Sequence, residues 1–152
     1  MNVPKQHEEI TMQEVTAYLN FPGSCRQAMS FYQKCLGAEL QISPFPDAEG
    51  KPLPDPEAQV MHSSLLRKGQ SFLMASDCPP GQTLRPGNNI SVCIQCDSIT
   101  EIDQIFGALG QNGEIRMPLA DMFWGARFGM LADQFGIQWL LNCNLPAGGS
   151  SK

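Results

Sequence analysis

Residues 121–139 read DMFWGARFGMLADQFGIQW, and how this stretch folds decides the architecture of the whole chain. Phe128, Met130 and Ala132 alternate with Arg127, Gly129 and Leu131. That period of two is the signature of a strand with one face buried. Asp133-Gln134-Phe135-Gly136 then reads as a type I turn, with Asp first and Gly last. Residues 137–141 resume as a second strand, so the segment is a β-hairpin. Glycine beside large aromatics implies that something comes close to the backbone. The pattern leaves two readings open, a tightly packed hairpin or the wall of a ligand cavity.

Working outward, the rest of the chain falls into two similar halves. In the first, residues 11–21 contain the strand VTAYLNF, which Pro22 and Gly23 end. Ser24 and Gln27 have capping-box spacing, so a helix is expected to run to Leu36. Its apolar stripe is Ala28, Phe31, Tyr32 and Cys35, and Gly37 closes it. Residues 38–43 form a strand, residues 44–57 a proline-rich loop, and residues 59–66 and 71–76 a hairpin around Arg67-Lys68-Gly69-Gln70. After a linker the pattern restarts at residues 90–96. Ser98 and Glu101 form a second capping box, followed by a stripe of Ile102, Ile105, Phe106 and Leu109. A short strand at 114–117, a loop and the opening hairpin complete it. Ser24 and Ser98 stand 74 residues apart, and with that offset the two stripes coincide. The chain is therefore an internal repeat of a β-α-β-β-β unit. The expected boundaries are a loose tail at 1–10, a single domain at 11–145 and a tail at 146–152. Within the domain, the first module spans 11–77, the linker 78–89 and the second module 90–145.

Composition narrows the function classes. The chain has 152 residues, 42% of them hydrophobic, enough for one domain with a real core. No apolar run approaches the roughly 20 residues of a membrane span. The polar start MNVPKQHEEITMQEV lacks the pattern of a secretory signal, so the expected location is cytoplasmic. A net charge of −5, with ten scattered Lys and Arg residues, argues against nucleic acid or an anionic membrane as partner. Six cysteines in such a chain are expected to be free thiols. Cys93 and Cys96 are three apart in a strand, so they face opposite ways and share no metal.

The segments YLNFPGSCRQAMSFYQKCLGAEL (residues 18–40), MHSSLLRKGQSFLMASD (61–77) and FWGARFGMLADQFGIQW (123–139) carry a family resemblance. Together they resemble the vicinal oxygen chelate superfamily, which includes glyoxalases, bleomycin resistance proteins and dioxygenases. Within it they resemble the PhnB-like group, labelled 3-demethylubiquinone-9 3-methyltransferase-like. The resemblance implies an α+β fold of two βαβββ modules, forming a curved mixed sheet around a cavity, and a homodimer. It leaves substrate open, because one scaffold hosts many chemistries. No GxGxxG or doubly wound pattern offers a site for a methyl donor, so methyl transfer is not expected.

Enzymes of the superfamily take metal ligands from the first and fourth strands of each module. Those positions map here near Ala17, Met74, Ser91 and Leu140, which are poor ligands for a divalent ion. No metal or other cofactor is therefore expected. Two side chains are weak catalytic candidates: His62, whose imidazole suits proton transfer, and Cys25, at a helix start where the dipole lowers a thiol pKa. Asp77 and Asp121 are placed at the cavity rim by position. Met74, Phe123, Trp124, Arg127 and Trp139 are the expected ligand-binding residues, and each aromatic could equally be core. Arg127 needs a carboxylate partner, either from a ligand or from Asp133. The leading expectation is a small-molecule-binding protein for an apolar or aromatic ligand. The alternatives are a lyase, isomerase or dioxygenase with an unusual metal centre at His62, and a scaffold acting through the 44–57 loop.

Overall fold

The computed structural model describes residues 9–46, 48–51, 59–79 and 81–146. In chain order the first module is β1 (Ala17–Phe21), α1 (Cys25–Leu36), β2 (Glu39–Pro44), β3 (Val60–Arg67) and β4 (Gln70–Asp77). The second is β5 (Val92–Cys96), α2 (Ile99–Leu109), β6 (Glu114–Met122), β7 (Ala126–Ala132) and β8 (Gln138–Asn144). The fold is α+β, built of two βαβββ modules, as the repeat predicts. Each module makes its own four-stranded mixed sheet, in the orders β1-β4-β3-β2 and β5-β8-β7-β6. The first and last strands of each module run parallel, and the other neighbours are antiparallel. Among the described residues the two sheets are not hydrogen-bonded to each other, which leaves β1 and β5 as edge strands.

Each helix covers one face of its sheet. Cys25, Ala28, Met29 and Tyr32 of α1 are buried, at the i, i+3, i+4, i+7 spacing of one helical stripe. They pack with Leu19, Phe21, Leu65, Leu73 and Ala75 from the sheet beneath. The α2 stripe of Ile102, Phe106 and Leu109 packs likewise with Leu131, Trp139, Leu141 and Cys143. Gly37 ends α1 in the left-handed conformation expected of it, at φ 63°. The alternate residues of each strand form a second face that no helix covers. By register, Tyr18 lies beside Met74, Met74 beside Ser64, and Cys93 beside Leu140 on these open faces.

The opening segment folds as read, with one extension. Asp133 and Gly136 close the turn by a 2.9 Å backbone hydrogen bond, and Gly136 has φ 88°. The strand expected at 114–117 instead runs to Met122. It passes through Pro118 with two register irregularities. As the outer strand of its sheet, β6 tolerates a proline that has no N–H to donate. It is exposed on both faces, so it carries no alternation to read. The close approach implied by the glycines is internal. A Cβ on Gly129 would sit 2.7 Å from the Phe106 ring, so α2 lies directly on β7 there. Among the described residues no helix is long and apolar enough to cross a membrane. Residues 47 and 52–57 of the 44–57 loop lie outside the described residues, as do 1–8 and 147–152 of the two tails.

Candidate functional site

Two buried carboxylates have structural work that sequence reasoning missed. Asp77 ends β4 and is nearly inaccessible. Its Oδ1 accepts the Gly23 and Cys25 N–H groups at 3.0 and 2.9 Å, and its Oδ2 accepts the Val60 N–H at 2.9 Å. The expectation of a rim carboxylate is thus corrected: Asp77 caps the start of α1 from the neighbouring strand. Ser24, expected to do this, makes no side-chain cap. The α2 box does form, with Ser98 Oγ accepting the Glu101 N–H at 3.1 Å. Cys25 is fully buried beside Ser63, and burial, with the Asp77 charge adding, pushes its thiol up to about 11. Desolvation therefore outweighs the helix dipole, the reverse of the activation that the sequence suggested.

Asp133 ties the modules together. Its Oδ2 accepts the Tyr32 hydroxyl of α1 and, at 2.8 Å, the Trp139 indole N–H of β8. Its Oδ1 accepts the Phe135 and Ile137 N–H groups of its own turn at 2.8 and 3.0 Å. Burial, then the Asp133 charge, holds the Tyr32 phenol far above its usual range. Phe135 packs against the rings of Phe21, Phe31 and Tyr32, so the β7–β8 turn plugs into the first module. Trp139, at 1% exposure, is a core residue of this junction. One side of it reaches a cleft of ≈ 640 Å³ between the modules, also lined by Leu36, Phe72, Val92, Ile94 and Ile105.

Arg127 finds carboxylates within the protein, though not Asp133. Its Nε donates to Asp103 of α2 at 3.0 Å, and its Nη1 to Asp121 of β6 at 3.1 Å. It therefore sits on the helix-facing side of β7 as a clamp between β6 and α2. Asp121 is engaged there too.

The open face of the first sheet holds the other candidates. The Tyr18 hydroxyl lies 3.2 Å from His62 Nδ1, and Ser64 Oγ lies 3.3 Å from His62 Nε2. Asn20 and Ser76 bond beside them at 3.5 Å. Met74 is half-buried and neighbours both Tyr18 and Ser64 in register. The open face of the second sheet carries Cys93, Leu140, Met130 and Phe128, with Asn142 donating to Gln95 at 3.1 Å. Phe123 and Trp124, 96% and 54% exposed, occupy the β6–β7 turn. Their rings meet at 5.1 Å, and Trp124 meets Phe128 at 6.0 Å. Within one chain the expected ligand residues thus divide three ways. Met74 lies with His62 on one sheet, Phe123 and Trp124 lie at the tip of the other, and Arg127 and Trp139 lie on helix-facing sides. Phe128 was missed, although its alternation with Gly129 marked the open face.

Of the mapped metal positions, Met74 and Leu140 stand where expected, while the first-strand positions shift from Ala17 to Tyr18 and from Ser91 to Cys93. Ala17 packs against the core and Ser91 precedes β5. The first- and fourth-strand neighbours on the open faces are Tyr18 with Met74 and Cys93 with Leu140. Among the described residues no three His, Cys, Asp or Glu side chains gather where they could hold a metal ion.

The family described as 3-demethylubiquinone-9 3-methyltransferase matches residues 13–142. Protein YjdN of Escherichia coli (strain K12) is 29% identical over 139 residues, covering 84% of this chain and 93% of that protein. Protein PA1353 of Pseudomonas aeruginosa is 35% identical with TM-score 0.76, covering 89% of this chain and all of its own, 100%. A putative 3-demethylubiquinone-9 3-methyltransferase, PhnB protein, of Bacillus cereus is 32% identical with TM-score 0.66, covering 86% and 99%. A glyoxalase/bleomycin resistance protein/dioxygenase from Nocardioides shares the fold alone, at 20% identity and TM-score 0.54, covering 91% and 89%. The chain belongs to the PhnB-like, 3-demethylubiquinone-9 3-methyltransferase-like family.

Proposed function

We propose that the chain is a small-molecule-binding protein that works as a homodimer without the divalent metal centre of its catalytic relatives. The observation that carries this reading is what fills the central open-face positions: Tyr18 with Met74, and Cys93 with Leu140. A phenol, a thioether, one thiol and an alkyl group are a poor donor set for a divalent ion. They are a good lining for a planar, apolar or aromatic ligand, with Asn20, Ser76, Gln95 and Asn142 as orienting polar groups. The dimer is supported by the free edges of β1 and β5 and by the bare rings of Phe123 and Trp124. Edge strands and exposed aromatic patches of this kind suit a second copy. A cytoplasmic location fits the six free thiols.

The rival reading, an enzyme centred on a metal at His62, meets a geometric obstacle. Both ring nitrogens already face protein oxygens at hydrogen-bond distance. A metal would have to displace one of them. Methyl transfer, which the family description names, is not part of the proposal. The scaffold reading through the 44–57 loop concerns a segment of which residues 47 and 52–57 lie outside the described residues.

Thermal unfolding against a panel of planar aromatic compounds tests the reading, with and without EDTA. The expected result is a rise in Tm with some members of the panel and no change with EDTA. Stoichiometric metal in protein purified without chelator, with a fall in Tm on its removal, would overturn the metal-free assignment. Sedimentation velocity checks the dimer, and a monomer at micromolar concentration contradicts it.

A further inference from the structure

The open face of the first sheet is almost free of charge. By register it presents Tyr18 and Asn20 from β1, Gln41 and Ser43 from β2, His62 and Ser64 from β3, and Met74 and Ser76 from β4. Glu39, opposite Leu66 at the far end of β2, is the charged side chain on this face among the described residues. At its centre Tyr18, His62 and Ser64 form an unbroken hydrogen-bonded chain, with the Tyr18 and His62 rings 5.7 Å apart. Tyr18 is 44% exposed, and Ser64 is buried. The chain therefore runs from inside the sheet to one phenol oxygen at its surface.

The direction of the protons follows from donor and acceptor strength. A phenol O–H is a stronger donor than a neutral imidazole N–H, and an imidazole nitrogen is a stronger acceptor than a phenol oxygen. With His62 neutral, Tyr18 O–H donates to Nδ1, and Nε2–H donates to Ser64 Oγ. The phenol hydrogen points inward, and the phenol oxygen offers its lone pairs outward.

We propose that Tyr18, held in orientation by His62 and Ser64, is the polar anchor of this face, and that it selects planar aromatic ligands bearing a hydroxyl donor, such as a phenol or an enol. The ring of such a ligand lies over Met74, and its O–H donates to the Tyr18 oxygen. Thioether–aromatic contact suits that placement. The proposal rests on the reading of the open faces as a small-molecule site and adds the ligand's chemical class. His62 is a positioning residue here, acting through Tyr18.

The test uses the full chain and two probes of similar shape, 2-naphthol and 2-methoxynaphthalene, with affinities measured by titration. In the native chain 2-naphthol is expected to bind about tenfold more tightly, the worth of one good hydrogen bond. Tyr18→Phe removes an exposed hydroxyl and leaves the fold intact. It is expected to bring the two affinities together by weakening 2-naphthol alone. His62→Ala, which frees the phenol hydrogen to turn outward, is expected to narrow the preference without weakening 2-methoxynaphthalene, and His62→Gln, which keeps a polar partner for the phenol, to restore part of it. Equal binding of the two probes to the native chain, or a preference that survives Tyr18→Phe, would overturn the anchor while leaving the small-molecule site standing. Binding of neither probe would overturn both the anchor and the placement of planar aromatics on this face.

Discussion

The two helix starts of this molecule share a capping-box spacing and differ in physics. Ser24-Cys25-Arg26-Gln27 and Ser98-Ile99-Thr100-Glu101 both have capping-box spacing. Ser98 adopts the extended backbone of a working N-cap, at φ −146° and ψ 159°, and its hydroxyl reaches the Glu101 N–H. Glu101 returns to the Asp97 N–H at 2.9 Å. Ser24 sits at φ −102° and ψ 14°, its hydroxyl caps nothing, and the free N–H groups go to Asp77. The first helix is thus held by a strand end more than fifty residues away, and the second by its own four residues. A local signature is used where nothing better is near. It is set aside where a buried carboxylate already points at the helix dipole.

Breaking that contrast gives a graded series. Asp133→Ala is expected to have the largest effect, because it leaves the buried Tyr32 hydroxyl and Trp139 indole without an acceptor. A loss of about 4 kcal/mol is expected. Denaturant unfolding followed by Trp fluorescence and by circular dichroism should then give transitions that no longer coincide, as the modules uncouple. Asp77→Ala, which orphans three backbone N–H groups, is expected to cost about 3 kcal/mol, read as a lowered midpoint in urea. The effect should appear in α1 and β3 amide exchange before α2.

Alkaline pH sharpens the same contrast through a buried group. The Cys25 thiol is raised from 9.0 to about 11 in the folded chain. Between those values the folded state holds a proton that the unfolded state has lost. The stabilisation is complete below pH 9 and disappears as pH rises through about 11. The loss is on the order of 2 kcal/mol, and Cys25→Ser should remove this share of the alkaline fall while leaving that of Cys35 and Cys96, whose thiols burial also raises to about 11. Iodoacetamide at neutral pH should accordingly modify exposed Cys93 well before Cys25. Fast labelling of Cys25 would contradict its burial.

The smallest effects separate the two serines. Ser98→Ala is expected to cost about 1 kcal/mol. Ser24→Ala should cost a few tenths at most, since no cap is lost. Equal losses at the two positions would mean that Ser24 caps α1 after all.

What was legible in the sequence was whatever is local. The repeat, both helices, the Gly37 cap and the Asp133–Gly136 turn each depend on residues within a few positions of one another. Periodicity and turn chemistry report such features directly. What was hidden depends on contacts between distant segments. Asp77 reads as a loop carboxylate until β4 places it under α1. Arg127 was offered Asp133, six residues on, while its partners come from α2 and β6. Tyr32 and Asp133, which join the modules, are 101 residues apart. The candidate site was partly legible for the same reason. Alternation assigns Met74 and His62 to one strand face, but it cannot say that α2 claims the side of β7 on which Arg127 stands. By sequence Trp139 could be a ligand wall or core, since a large aromatic in a half-buried strand suits both. Its indole N–H belongs to the junction instead.

The claim on which the function rests is that the ligand lies on the open faces of the sheets. Methyl-resolved NMR of the methionines during titration with a compound from the thermal-shift panel addresses it directly. Met74 and Met130 lie on the open faces, whereas Met29 is fully buried under α1. The account predicts that the Met74 and Met130 signals shift in proportion to occupancy while Met29 stays in place. A saturating ligand that leaves Met74 and Met130 unmoved, or that perturbs residues of the inter-module cleft instead, would contradict it.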